Sequence, residues 1–190
     1  MSGPDRVHPA RTFVCGECGF DARELSDAEL VSRCATFGRR FSAPLTRFLP
    51  GEDGRAVLRR RPAPEVWSAL EYATHVRDVL AFYRQRVERV LTEDRPELHA
   101  VGFGSRPEED AHAGSDPEVV AGELSVEASA LAALLEGLDE AGWQRVGLSS
   151  DGSGDERSVR VLAERAVHDA HHHLLDVGRS LRAARTATGG

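Results

Sequence analysis

The sequence lacks the long apolar runs that membrane proteins and secreted precursors carry. No segment has the roughly 18 consecutive apolar residues of a membrane-spanning helix. The first 25 residues contain no apolar run of the length found in signal peptides. The sequence therefore predicts a protein without membrane contact, and we expect it in the cytoplasm.

Cations and aromatic side chains are also scarce. The chain has 24 Lys+Arg against 31 Asp+Glu, a formal net charge of −7, whereas binding to a phosphate backbone needs a surplus of cations. Aromatic residues make up 6% of the chain, which leaves few rings to stack on bases. This composition argues against a nucleic-acid partner.

Cysteine is rare and odd in number, since the chain contains Cys15, Cys18 and Cys34. An odd count does not fit a secreted disulfide scaffold. What the chain does have is 190 residues, 41% of them hydrophobic, which is enough for one globular domain. It also has eight histidines, and four of them lie between positions 168 and 173.

Two amphipathic helices are marked by capping boxes, in which a serine and a glutamate three residues later exchange hydrogen bonds. The pairs are Ser26 with Glu29 and Ser68 with Glu71. Apolar residues then recur every three or four positions. In the first of these helices Cys34 falls on the apolar stripe, which favours a small buried hydrophobe over a reactive thiol.

Two further helices are predicted in the second half of the chain. One begins at Asp116 and Pro117, an N-cap followed by proline at the first helical position. The other runs from about Ser158 to about Ala184. No convincing strand pattern is present, so the sequence predicts an all-α fold, a four-helix bundle over residues 26–184. An N-terminal arm with a Cys-x-x-Cys knuckle (1–25) precedes the bundle, and a flexible tail (185–190) follows it.

The histidines of the last helix suggest a metal site. His168 and His172 are spaced i, i+4, which places both imidazoles on one face of a helix. His75, at the edge of the apolar stripe of the second helix, is the candidate third ligand. A single histidine on an apolar face is more often a hydrogen-bonded core residue, but three on inward faces favour a metal. His171 and His173 have no assigned role, and His171 paired with an aspartate is an alternative.

Three histidine ligands would leave one coordination position open, as in catalytic rather than structural metal sites. Imidazole binds zinc, nickel and iron alike, so the ligand type does not fix the metal; zinc is our first expectation. The sequence singles out no catalytic acid or base.

The cysteine pair, Cys15 and Cys18, forms half of a zinc knuckle. Three interpretations stay open: a second metal site completed by His8 or another histidine, a redox dithiol, and a knuckle without a metal. A thioredoxin-like context of strand and helix around the pair is missing from the sequence pattern.

Two segments resemble those of a known family. Residues 67–80 read WSALEYATHVRDVL and residues 168–176 read HDAHHHLLD, and both are similar to helix motifs of actinobacterial DinB-like proteins. The resemblance covers about residues 26–184. It implies a four-helix bundle, often dimeric, with a divalent metal on His75, His168 and His172.

The resemblance also implies thiol-dependent chemistry, because members of known activity are mostly S-transferases using mycothiol or related thiols, or a maleylpyruvate isomerase. We therefore expect a metal- and thiol-dependent enzyme in which a metal-bound thiolate attacks a small electrophile. Two alternatives remain: a non-catalytic metal-binding stress or sensing protein, and a redox protein using Cys15 and Cys18. A homodimer is a further expectation.

Overall fold

The computed structural model describes residues 13–99, 115–150 and 155–186. The other residues, which include parts of the predicted arm and tail as well as His8 and His112, lie outside the described residues. The bundle is built from four long helices: α1 Asp27–Thr46, α3 Ala69–Thr92, α4 Pro117–Leu135 and α6 Val159–Thr186. Two short helices, α2 Gly54–Arg59 and α5 Glu140–Gln144, and a 3-10 turn at Ala22–Glu24 connect them.

The predicted helix starts are confirmed at the level of individual hydrogen bonds. Ser26 and Ser68 are N-caps with complete capping boxes to Glu29 and Glu71, and Asp116 caps α4 ahead of Pro117. These caps satisfy backbone N–H groups that a helix start leaves without partners. Glu71 is buried, and its carboxylate also accepts hydrogen bonds from Arg61.

Around the core the four long helices stand in the order α1, α4, α3, α6. The first two long helices of the chain, α1 and α3, are therefore diagonal to each other rather than neighbours. Fully buried aromatic and aliphatic side chains fill the centre. Cys34 is among them, which confirms its prediction as a core residue. This order places α3 directly beside α6, the helix that carries the histidine run. Among the described residues, no helix is both long and apolar enough to cross a bilayer.

The expectation of a chain without strands is wrong in detail. A small sheet joins β1 Glu97–Leu98, β2 Val146–Ser149 and β3 Glu156–Ser158, with β1 parallel and β3 antiparallel to β2. Strands of two to four residues are too short to show a two-residue periodicity. Gly147 is needed there, because an added Cβ would come within 2.7 Å of the buried Leu98 side chain.

The described part of the arm is packed against the bundle. Phe20, Ala22 and Leu25 belong to the buried core, and Phe13 packs edge-on against the His168 ring with 4.5 Å between centroids. The segment 13–25 therefore contributes to the same hydrophobic core as residues 26–184. This packing brings the cysteine pair to the surface of α6.

The contact between α1 and α4 gives a stability prediction. Gly38 faces Ser125 so closely that an added Cβ would lie 2.9 Å from the Ser125 Cα. We expect Gly38→Ala to destabilise the protein by about 1–3 kcal/mol, because the two helices must separate. Gly122→Ala is the matched control. Its Cβ would meet nothing within 4 Å, and we expect it to stabilise by about 0.5–1 kcal/mol. Urea unfolding of both variants tests this, and equal effects would contradict it.

Candidate metal centre

The arm forms a tight turn that presents two sulfurs. The Cys15 amide donates to the Phe20 carbonyl at 2.8 Å, and the Gly19 amide donates to the Cys15 carbonyl at 3.0 Å. Gly19 has φ +72°, in the left-handed region that favours glycine. An isolated bridge between Val14 and Asp21 closes the turn. The sequence Cys-x-x-Cys-Gly thus folds into a knuckle-like turn.

Helix α6 supplies two imidazoles to this knuckle. His168 and His172 lie one turn apart, with 5.5 Å between ring centroids. One ligand atom from each of Cys15, Cys18, His168 and His172 lies within 4.8 Å of the other three. In the part of the chain that the structure describes, no other group of histidine, cysteine and acidic residues meets this distance.

The His168 ring is oriented as a metal ligand. Its Nδ1 lies 3.0 Å from Asp169 Oδ1. Because an ionised carboxylate only accepts, Nδ1 carries the proton and the lone pair of a neutral ring is on Nε2. Nε2 is buried and has no hydrogen-bond partner among the described residues. A buried nitrogen without a partner costs about 1–3 kcal/mol, and a metal ion in the Cys/His group would remove that cost.

The His172 ring also has one nitrogen beside carboxylates and the other beside the cysteines, but here Nε2 faces the carboxylates and Nδ1 faces the sulfur. Its Nε2 faces two carboxylates, Glu17 Oε2 at 3.5 Å and Asp176 Oδ2 at 3.6 Å. Its Nδ1 lies 3.6 Å from the Cys15 sulfur. Carboxylates behind metal-binding histidines fix the ring tautomer and orientation. Both rings are thus directed at the sulfurs from one face of α6.

The three thiols have different acidities. The backbone N–H of Cys18 is the largest of the contacts that lower the pKa of Cys15 to about 6, and the His168 ring contributes only in its protonated form. Burial raises the pKa of Cys18 above its usual value and raises that of Cys34 to about 12. Cys15 is therefore the thiol most readily converted to thiolate, which is the form that binds metals and attacks electrophiles.

His75 lies beside this group without being one of its four members. Its ring packs edge-on against His173, with 4.9 Å between centroids, and against Trp67 at 5.3 Å. His173 Nδ1 lies 3.1 Å from Asp176 Oδ2. Asp176 thus connects His172 of the Cys/His group with the pair His173 and His75. Coordination of a metal by His75 stays a prediction.

Two further histidines, His171 and His99, lie within the described residues. His171 Nε2 lies 3.3 Å from the Cys18 carbonyl oxygen, so His171 helps hold the knuckle on α6. His99 is exposed. From the sequence, His168 and His172 are expected in one site and the cysteine pair in a possible second site. The structure brings the four residues together in one group. The sequence contains a signal for this arrangement, because a single Cys-x-x-Cys needs two further ligands to complete a four-ligand zinc site.

These features define a class, a four-helix-bundle protein with a Cys/His group suited to a metal ion. A sequence model of the DinB superfamily matches residues 53–177. The chain belongs to this superfamily, which confirms the resemblance of the helix motifs. The match includes His75, His168 and His172 but neither Cys15 nor Cys18.

A solved structure supports the same fold. YfiT from Bacillus subtilis, described as a probable metal-dependent hydrolase with an unusual four-helix bundle topology, aligns with a TM-score of 0.69 at 15% identity. The alignment covers 86% of this chain and 91% of YfiT. Among curated proteins no sequence matches the chain. The shared bundle fold is therefore established.

The carboxylate behind His168 gives a second prediction. Asp169→Asn is expected to weaken metal binding about 10–100-fold, because the loss of such a partner frees the ring to rotate and lowers its basicity. Asp78→Asn is the control, since Asp78 forms an ion pair with Arg77 and is not a member of the Cys/His group. Competition titration against a chromophoric chelator measures both affinities. Equal affinities in the two variants would contradict the assigned role.

Proposed function

We propose that this protein binds one zinc ion through Cys15, Cys18, His168 and His172 and uses it in thiol chemistry on a small electrophile. The observation that carries the proposal is the clustering of four ligand atoms within 4.8 Å, one of them a buried nitrogen without a hydrogen-bond partner. Two thiolates and two imidazoles are a usual ligand set for tetrahedral zinc. Nickel or iron would also accept the imidazoles.

The proposed reaction is a thiol S-transferase or isomerase-like reaction with a low-molecular-weight thiol such as mycothiol. A zinc ion here would supply one effect, stabilisation of a thiolate near neutral pH. Since four side chains fill a tetrahedral site, the external thiol would have to replace one of them or add as a fifth ligand. Membership of the DinB superfamily supports a metal-dependent activity, and so does the description of YfiT. The identity of the thiol rests on the resemblance of the two helix motifs.

The chain offers a place for a small molecule beside the centre. A cavity of about 220 Å³ lies between α3 and α6, lined by Tyr72, Asp176 and Arg179 among others. Asp176 faces His172 and accepts from Arg179 at 2.8 Å. The Asp176 carboxylate thus connects the cavity to the Cys/His group. We propose this cavity as the binding site of the electrophile.

A second candidate function is a metal-binding protein without turnover. It is favoured by the number of ligands, because four protein side chains fill the tetrahedral positions of zinc and leave none open. In this case the zinc would fasten residues 13–25 to α6. The two candidates share the metal centre and differ in whether a substrate reacts there.

Metal analysis followed by a turnover assay tests the proposal. Untagged protein should contain about one equivalent of zinc. With mycothiol, the zinc-loaded protein should accelerate conjugation of monochlorobimane, the chelated protein should not, and added zinc should restore the rate. Zinc without turnover would favour the second candidate. Failure to bind any metal would contradict both.

A further inference from the structure

The two sulfurs of the knuckle lie close enough to bond to each other. The hydrogen bond from the Gly19 amide to the Cys15 carbonyl, 3.0 Å long, closes a tight turn that also contains Cys18. The sulfurs of Cys15 and Cys18 lie within 4.8 Å of each other. A disulfide needs a separation of about 2.0 Å between the sulfurs and at most about 7 Å between the Cα atoms. The turn is therefore compatible with a disulfide formed mainly by rotation of the two side chains.

Both thiols of the knuckle also have open space beside them. Cys15 and Cys18 are each partly exposed, and a Cβ built on Gly16 or on Gly19 would have no atom within 4 Å. The third thiol, Cys34, is completely buried in α1. A small oxidant in solution therefore reaches the two cysteines of the knuckle and does not reach Cys34.

We infer that Cys15 and Cys18 form a disulfide on reaction with a hydroperoxide, and that this bond removes both sulfur ligands from the metal centre. The inference rests on the proposed metal centre and adds redox control to it. The reduced protein binds the ion, and the oxidised protein releases it. The cysteine pair is thus assigned as a reversible modification site, and hydroperoxides are assigned as the class of reactant.

The reaction balances with the hydroperoxide as the only oxidant. One cysteine thiolate attacks a peroxide oxygen, so that a sulfur–oxygen bond forms, the oxygen–oxygen bond breaks and the departing oxygen takes a proton. The second thiolate attacks the sulfur of this sulfenic acid, the sulfur–sulfur bond forms, and hydroxide leaves and takes a proton to become water. Two electrons pass from the two sulfurs to the peroxide. A dithiol reductant reverses the modification by thiol–disulfide exchange.

The oxidised centre keeps two of its four ligands. Sulfur binds metals as thiolate, and the disulfide contains none. His168 and His172 remain on one face of α6, with 5.5 Å between their ring centroids. Two imidazoles leave half of the positions of a tetrahedral zinc site without a protein ligand. The affinity for the ion therefore falls when the disulfide forms.

Hydrogen peroxide added to the zinc-loaded full chain tests the inference, with zinc release followed by a chromophoric chelator. About one equivalent of zinc should be released, and the chelator without peroxide should release much less over the same time. Peptide mapping after alkylation of the unfolded chain should find Cys15 joined to Cys18 and Cys34 as a free thiol. A dithiol reductant with added zinc should restore the metal content. Cys34→Ser is the matched control, and it should release zinc like the natural sequence.

Two outcomes would overturn the inference. One is zinc that stays bound after Cys15 and Cys18 are joined, and the other is oxidation to separate sulfinic acids or to disulfides between chains. Metal-free protein separates this failure from failure of the proposed function, because peroxide should join the same two cysteines there. If the protein binds zinc and the pair does not join, only the inference fails. If no preparation binds zinc, the proposed function fails, and the map of the metal-free protein alone decides whether the disulfide forms.

Discussion

Replacing His168 by alanine is expected to abolish stoichiometric metal binding, whereas His75→Ala is expected to retain it. His168 presents a buried Nε2 to the two sulfurs, and its loss removes one of four ligands. His75 packs on His173 and Trp67 instead. Elemental analysis after dialysis should give about one equivalent for His75→Ala and almost none for His168→Ala.

Circular dichroism of the same samples provides the folding control, because both variants should keep the helical signal of the bundle. Cys15→Ser and Cys18→Ser should behave like His168→Ala. Loss of metal in His75→Ala, together with full metal content in Cys15→Ser, would contradict the four-ligand centre. That result would instead support the three-histidine site expected from the sequence.

Removal of the metal is expected to lower the stability of the folded protein substantially. A ligand present at about 1,000 times its Kd stabilises the folded state by about 4 kcal/mol. We expect chelation to lower the Tm correspondingly and to raise hydrogen exchange mainly in residues 13–25. The bundle helices should stay protected, since most of the buried core side chains lie on the helices themselves.

The double variant Cys15→Ser/Cys18→Ser is the control for chelation, and its Tm should not respond to the chelator. Differential scanning calorimetry and hydrogen exchange with mass spectrometry give the two readouts. An unchanged Tm in the natural sequence after chelation would contradict a metal that joins the arm to α6. A collapse of protection throughout the four bundle helices would contradict its local role.

Much of the fold was predictable because its signals are local. Ser26, Ser68 and Asp116 mark helix starts through hydrogen bonds made within three residues, so a sequence pattern can report them. The small sheet was missed because its strands are short. β2 and β3 form a hairpin with only three paired positions, and β1 pairs with β2 across about fifty residues. Pairing over such a distance leaves no periodic signal in either segment.

The histidine pair and the cysteine pair of the site could each be predicted from the sequence, but their meeting in one group could not. The spacing of His168 and His172 placed both rings on one face, and the spacing of Cys15 and Cys18 indicated a knuckle. Their meeting depends on Phe20 and neighbouring residues packing into the core, a tertiary contact across about 150 residues. Only the structure shows that these pairs face one another.

X-ray absorption at the zinc edge tests the central claim most directly. For the zinc-loaded protein we expect two sulfur ligands at about 2.3 Å and two nitrogen ligands at about 2.0–2.1 Å. His75→Ala, which is expected to keep its metal, should leave the spectrum unchanged. A first shell of nitrogen and oxygen alone, without sulfur, would contradict the assignment of Cys15, Cys18, His168 and His172 as the metal centre.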